Sequence, residues 1–66
     1  MNNYLEILYY VHTNHPKLQS DYVRYNAKKI AELASRGHIT SVVAGVAHNC
    51  WFTTAKGCAF LEEYYN

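Results

Sequence analysis

Residues 36–57, RGHITSVVAGVAHNCWFTTAKG, decide the fold. The glycine at 37 closes an apparent helix, because it takes the left-handed conformation that ends helices at little steric cost. His38 to Val43 is rich in β-branched residues and alternates roughly, so it predicts a strand. Ala44 to Asn49 is the turn, with Gly45 or Asn49 best able to adopt a positive φ. Cys50 to Thr53 is the return strand, and Thr54 is placed to cap a last helix over Ala55 to Tyr65. In that helix Cys58, Leu61 and Tyr65 share one side, with Phe60 and Tyr64 beside them. A β-hairpin between two helices is the frame on which the remaining residues are read.

Upstream, residues 3–13 predict a helix, because Tyr4, Leu5, Leu8, Tyr9, Val11 and His12 recur at helical spacing. Asn2 or Asn3 is its expected cap. Its apolar coverage is wide, which suits a central helix or one packed on a second subunit. Pro16 ends the segment. Ser20 is an N-cap, with Asp21 favourable in the first turn. From there a step of ~100° per residue gathers Val23, Ala27, Ile30, Leu33 and Ala34 on one face. Arg24, Lys28, Glu32, Ser35 and Arg36 fall on the other, with Lys29 at the margin. The expected reading is one basic amphipathic helix over 20–36. The alternative is a short helix from Lys17 to Tyr22, a turn at Tyr25 and Asn26, and a second helix from Ala27. The continuous phase of Val23 with Ala27, Ile30 and Ala34 favours the single helix. The expected order is therefore helix, helix, hairpin, helix, in one α+β domain spanning 1–66.

The bulk composition bounds the function. The chain has 66 residues, half of them hydrophobic, and a formal net charge of +1. That is the composition of one small globular domain, neither disordered nor strongly basic. No run reaches ~18 apolar residues, so no membrane span is expected. The first residues lack the basic start and cleavage site of a signal peptide. Two cysteines are too few for a disulfide scaffold, and a reduced, cytoplasmic setting is expected. The charge is uneven. Five of the six basic residues lie between 17 and 36, among two acids, giving that segment +3.

Two stretches together resemble the winged helix-turn-helix DNA-binding domain. IAELASRGHI (30–39) is similar to the end of that family's recognition helix and the start of its wing. There an apolar pair three apart is followed by Gly and an apolar strand residue. WFTTAKGCAFL (51–61) resembles the wing's return strand and closing helix, with an aromatic, a Thr cap, a Gly and an apolar pair. The resemblance covers about half the chain. The family also carries a further short helix before the recognition helix, which a single helix over 20–36 does not supply. The resemblance implies a winged-helix-like fold and a small bacterial or phage-type transcriptional regulator or accessory factor that binds double-stranded DNA. The basic helix would read the major groove and the hairpin tip would lie near the backbone. On that reading Arg24, Tyr25, Lys28, Lys29, Ser35 and Arg36 contact DNA, since Arg and Lys match both phosphates and guanine edges. His48 and Asn49 are the polar residues the tip could add.

The charge-poor tip and low net charge suit a second reading, a winged-helix-like adaptor that binds protein and not DNA. Seven tyrosines are many for this length, and tyrosine is enriched at interfaces. Tyr4, Tyr9, Tyr10, Phe60, Tyr64 and Tyr65 are the expected interface, in a homodimer of the terminal helices. HTNH (12–15) and HNC (48–50) offer metal-type ligands but not a converging set of about four, so no metal is expected. Cys58 fits an apolar helix face as a small hydrophobe. Scattered histidines with lone thiols are not a nucleophile signature, and there is no Gly-rich phosphate loop. No enzyme activity, cofactor, small-molecule substrate or membrane partner is expected.

Overall fold

A computed structural model describes the backbone of residues 3–65 and the side chains of 3–64. The fold is α+β, in the order α1 (Asn3–Asn14), α2 (Asp21–Tyr25), α3 (Ala27–Ser35), β1 (Ile39–Val43), β2 (Val46–Thr53) and α4 (Ala55–Tyr65). α1 is the central element, as its wide apolar coverage predicts. It packs on α3, α4 and β2 and supplies Tyr4, Ile7, Leu8 and Val11 to the core. Val23, Ile30, Leu33, Ile39 and Leu61 complete it. Burying an aliphatic side chain of this size is worth roughly 1.5–3 kcal/mol. Asn2, one expected cap of α1, lies outside the described residues, and Asn3 is inside the helix.

The single helix over 20–36 is corrected to two. Ser20 does cap the start, its Oγ accepting from the Val23 N–H at 3.3 Å. The break falls at Asn26, whose backbone leaves helical geometry at φ −112°, ψ 29°. Its side-chain amide and its own N–H both donate to the Tyr22 carbonyl, at 2.8 and 3.1 Å. An asparagine side chain that bonds its own backbone competes with the helix, and here it wins. The turn at Tyr25 and Asn26 and the helix from Ala27 belong to the alternative partition. Its first helix, however, starts at Asp21 and not Lys17. Because the phase is not kept across the break, Ala27 is exposed, whereas Val23, Ile30 and Leu33 are buried.

α3 ends as its glycine predicts. Gly37 has φ +79°. The Gly37 N–H donates to the Ala34 carbonyl and the His38 N–H to the Leu33 carbonyl, at 3.1 and 2.9 Å. This is the paired bonding of a Schellman C-cap.

The hairpin turn is tighter than expected. It holds just Ala44 and Gly45, both at positive φ, the combination of a two-residue type I′ turn. Asn49 therefore lies within β2, which starts four residues earlier than expected. His38 precedes β1 and is not part of it. Val43 pairs with Val46, Val42 with Ala47, Thr40 with Phe52 and Ile39 with Thr53. Four residues, His48 to Trp51, thus stand opposite Ser41 alone. This bulged stretch bonds outward instead: the Leu18 N–H donates to the Asn49 carbonyl and the Trp51 N–H to the Pro16 carbonyl, each at 2.9 Å. The α1–α2 connection thereby anchors the hairpin base.

α4 docks by its first turn. The Thr54 N–H donates to the His38 carbonyl at 3.0 Å, and Thr54 Oγ1 donates to the Gly37 carbonyl at 2.6 Å. The same Oγ1 accepts from the Gly57 N–H at 3.0 Å. Gly57 is buried, and a Cβ there would overlap the His38 carbonyl oxygen and lie 2.7 Å from Thr53 Cγ2. Gly57→Ala is therefore expected to destabilise the fold by about 3 kcal/mol. Thermal unfolding followed by Trp51 fluorescence should show Tm falling by more than about 10 °C. An unchanged Tm would mean that α4 does not seat this closely.

Candidate functional site

The expected DNA-reading residues divide between the two ends of the α2–α3 pair. Arg24, Tyr25, Lys28 and Lys29 line one surface depression at the junction, with Asn26 and Ala27. The break at Asn26 turns Tyr25 outward, and its side chain is 90% exposed. Ser35 and Arg36 lie exposed at the far end of α3. The positive charge is partly offset. Asp21 stands 3.9 Å from Arg24. Glu32 stands 3.6 Å from Lys29 and 2.9 Å from Arg36. Exposed pairs like these contribute under about 1 kcal/mol each, but they cancel field that a polyanion would otherwise feel. Lys28 has no acidic partner at ion-pair distance among the described residues.

The hairpin differs from the expected polar tip. His48 and Asn49 are strand residues behind the turn, because the turn needs just Ala44 and Gly45. His48 packs edge-on against Phe52, with ring centres 5.3 Å apart. The tip itself is apolar, with Val42 50%, Val43 41% and Val46 57% exposed. No Asp, Glu, Lys or Arg occurs from Gly37 to Ala55. That uncharged run was a readable signal for this surface, and strand propensity alone did not reveal it.

The expected aromatic interface is also redistributed. Tyr4 is corrected from interface to core: it is 7% exposed, and its hydroxyl lies 2.6 Å from His38 Nδ1. The reason is position, since Tyr4 faces inward one turn before Ile7 and Leu8. Phe60 is half-buried and stacks on His38 at 4.6 Å. Tyr10 is half-buried and stacks on Tyr22 at 3.8 Å. Tyr9 and Tyr64 are exposed, and the Tyr65 side chain lies outside the described residues. No three metal-type ligands converge among the described residues. His12 Nδ1 lies 4.0 Å from Cys58 Sγ, a pair with no third group to orient it.

His38 is the buried polar residue at the centre of the fold. Desolvation lowers its pKa, and the nearby Lys56 and Arg36 lower it further. Burial raises the pKa of Tyr4, partly opposed by the Arg36 guanidinium, which lies 5.2 Å over its ring. Tyr4 thus keeps its proton and donates it to a neutral imidazole, which accepts at Nδ1.

Together these features define a small α+β domain with a cation-bearing helix pair at one place and an uncharged hairpin at another. No protein-family profile matches the chain, and no solved structure matches it. The gene 5.7 protein of Enterobacteria phage T3 is 41% identical over 64 residues, covering 96% of this chain and 93% of that protein. The fusion protein 5.5/5.7 of Escherichia phage T7 is also 41% identical over 64 residues, but this chain spans 38% of its length. The chain belongs to the family of phage gene 5.7 proteins.

The lowered His38 pKa sets a pH dependence. As pH falls, the unfolded chain takes up this proton first, near the ordinary imidazole value of about 6.5. Stability is therefore full above that value and is lost as pH drops through the folded pKa. Tm measured from pH 7.5 to pH 5 should fall steadily, and His38→Gln should flatten that slope. An equal slope in the variant would show that His38 titrates as freely in the fold as in the unfolded chain.

Proposed function

We propose that this phage protein is a non-enzymatic, winged-helix-like adaptor that acts in the cytoplasm by binding another protein. The observation that carries the reading is the hairpin: three exposed valines at the end of a surface with no charge from 37 to 55. An exposed apolar surface of this kind suits a protein partner and offers nothing to phosphate. The near-neutral chain and the acids beside Arg24, Lys29 and Arg36 favour the same reading. No helix of the described residues is long and apolar enough to cross a membrane. The terminal-helix homodimer is weakened as a proposal, because Tyr4 belongs to the core.

A second reading, a DNA-binding regulator, has its own support. The break at Asn26 supplies the short helix before α3 that the winged-helix resemblance calls for. Tyr25 then stands exposed among Arg24, Lys28 and Lys29. Its contacts would come from α2 and α3, with His48 and Asn49 reaching DNA along β2 and not from a tip.

Fluorescence anisotropy with mixed-sequence duplex DNA separates the two. The adaptor reading expects no binding at ~50 mM salt, where even non-specific readers are detectable. Binding that weakens linearly with log[salt], and is abolished by Lys28→Glu with Lys29→Glu, would replace it with the DNA reading.

A further inference from the structure

We infer that the hairpin is a finger, seating Val42, Val43 and Val46 between the walls of an uncharged apolar groove on a partner protein, while Thr40 closes the neighbouring strand edge. The inference rests on the adaptor reading and adds to it the docking mode and the partner's chemistry.

Successive strand residues face opposite sides of a sheet. Val43 and Val46 pair across one face of the hairpin, and Val42 and Ala47 across the other. Val42, Val43, Val46 and Ala47 are all exposed, so the apolar surface lies on both faces of a two-stranded ribbon. A flat pad would touch one face. A groove covers both, and its walls need no charge, since none occurs from 37 to 55.

The tip is also preorganised. Its two-residue turn places Ala44 at φ +54°, where Asn or Gly is less strained. That strain leaves a methyl group at the end of the finger, and strain of this kind concentrates at contact sites.

A second copy of the chain is a poor occupant. Three half-exposed valines offer a few hundred Å², far short of the roughly 800 Å² per partner in a standard interface. Strand addition is closed off as well. In a two-residue hairpin Val43 and Val46 form the hydrogen-bonded pair, so the backbone groups of Val42 turn to the outer edge. Both are already engaged: Thr40 Oγ1 accepts from the Val42 N–H at 3.1 Å and donates to the Val42 carbonyl at 3.3 Å. An edge blunted in this way resists pairing with another chain.

The test is photo-crosslinking of the full chain in Escherichia cells, with benzoylphenylalanine at Val43 and, separately, at Tyr9, Tyr25 and Tyr64. The finger expects one discrete protein adduct from position 43. Its yield should fall about tenfold in Val42→Ser with Val46→Ser and hold from about 50 to about 500 mM salt. Thermal unfolding of the double variant, matched to wild type, shows that the loss is not misfolding. An adduct of twice the chain mass, a nuclease-sensitive adduct, or a yield indifferent to the valines overturns the finger. Adducts from Tyr9, Tyr25 or Tyr64 alone overturn it but leave the adaptor reading standing. No protein adduct from any position sinks both. For the edge, Thr40→Val should self-associate in sedimentation while Thr40→Ser, which keeps the hydroxyl, matches wild type. A Thr40→Val variant that sediments as wild type refutes the closure.

Discussion

The joint at Gly37 and His38 is the contact on which the rest of the structure depends. Two residues end α3, start β1, receive the first turn of α4 through their carbonyls, and pin α1 through Tyr4. Each bond is ordinary, worth about 1 kcal/mol net. Their concentration is what matters. Four elements meet where a lost partner would leave a buried donor or acceptor unsatisfied, and that asymmetry costs more than the bond gains. Phe60 stacks on the imidazole and Arg36 lies over the Tyr4 ring, so the polar joint is sealed by aromatic packing. The absent Cβ at Gly57 lets α4 approach closely enough to make it.

Much of this was legible in the sequence because it rests on local rules. Gly37 as a cap, Thr54 as a cap, the β-branched run after 38 and the central role of α1 each follow from a few neighbouring residues. The break at Asn26 was less legible. Apolar periodicity looked continuous across it, and the deciding bonds come from one amide folded back on Tyr22. The burial of Tyr4 was hidden for another reason. In a helix with apolar residues on most sides, spacing alone does not say which tyrosine faces inward. The extent of β2 was missed because Val46 to Asn49 is held partly by the hairpin and partly by the distant Pro16 to Leu18 segment, a long-range pairing with no local signature.

The two candidate surfaces obey different physics. The α2–α3 junction depends on charge, and its cations are long, exposed side chains already near acids. The hairpin depends on shape and apolar area, and its backbone is fixed by a tight turn and by the clip at Thr40. Salt weakens the first kind of contact and leaves the second largely alone. The sequence reading placed the site on the helix face because a cluster of lysines and arginines is visible in a string of letters. An exposed valine looks the same on the page as a buried one.

The core also has a temporal consequence. Leu61 lies in it, Phe60 packs on the joint, and both meet residues of α1 or the segment near 38. The pairing of residues 16–18 with 49–51 is similarly distant in sequence. No early fragment of the chain contains a closed set of these contacts. A ribosome making this protein must therefore pass Leu61 before the fold can close, and until then α1 waits with its apolar residues uncovered. Assembly is a single late event, in which the first helix made is completed by the last.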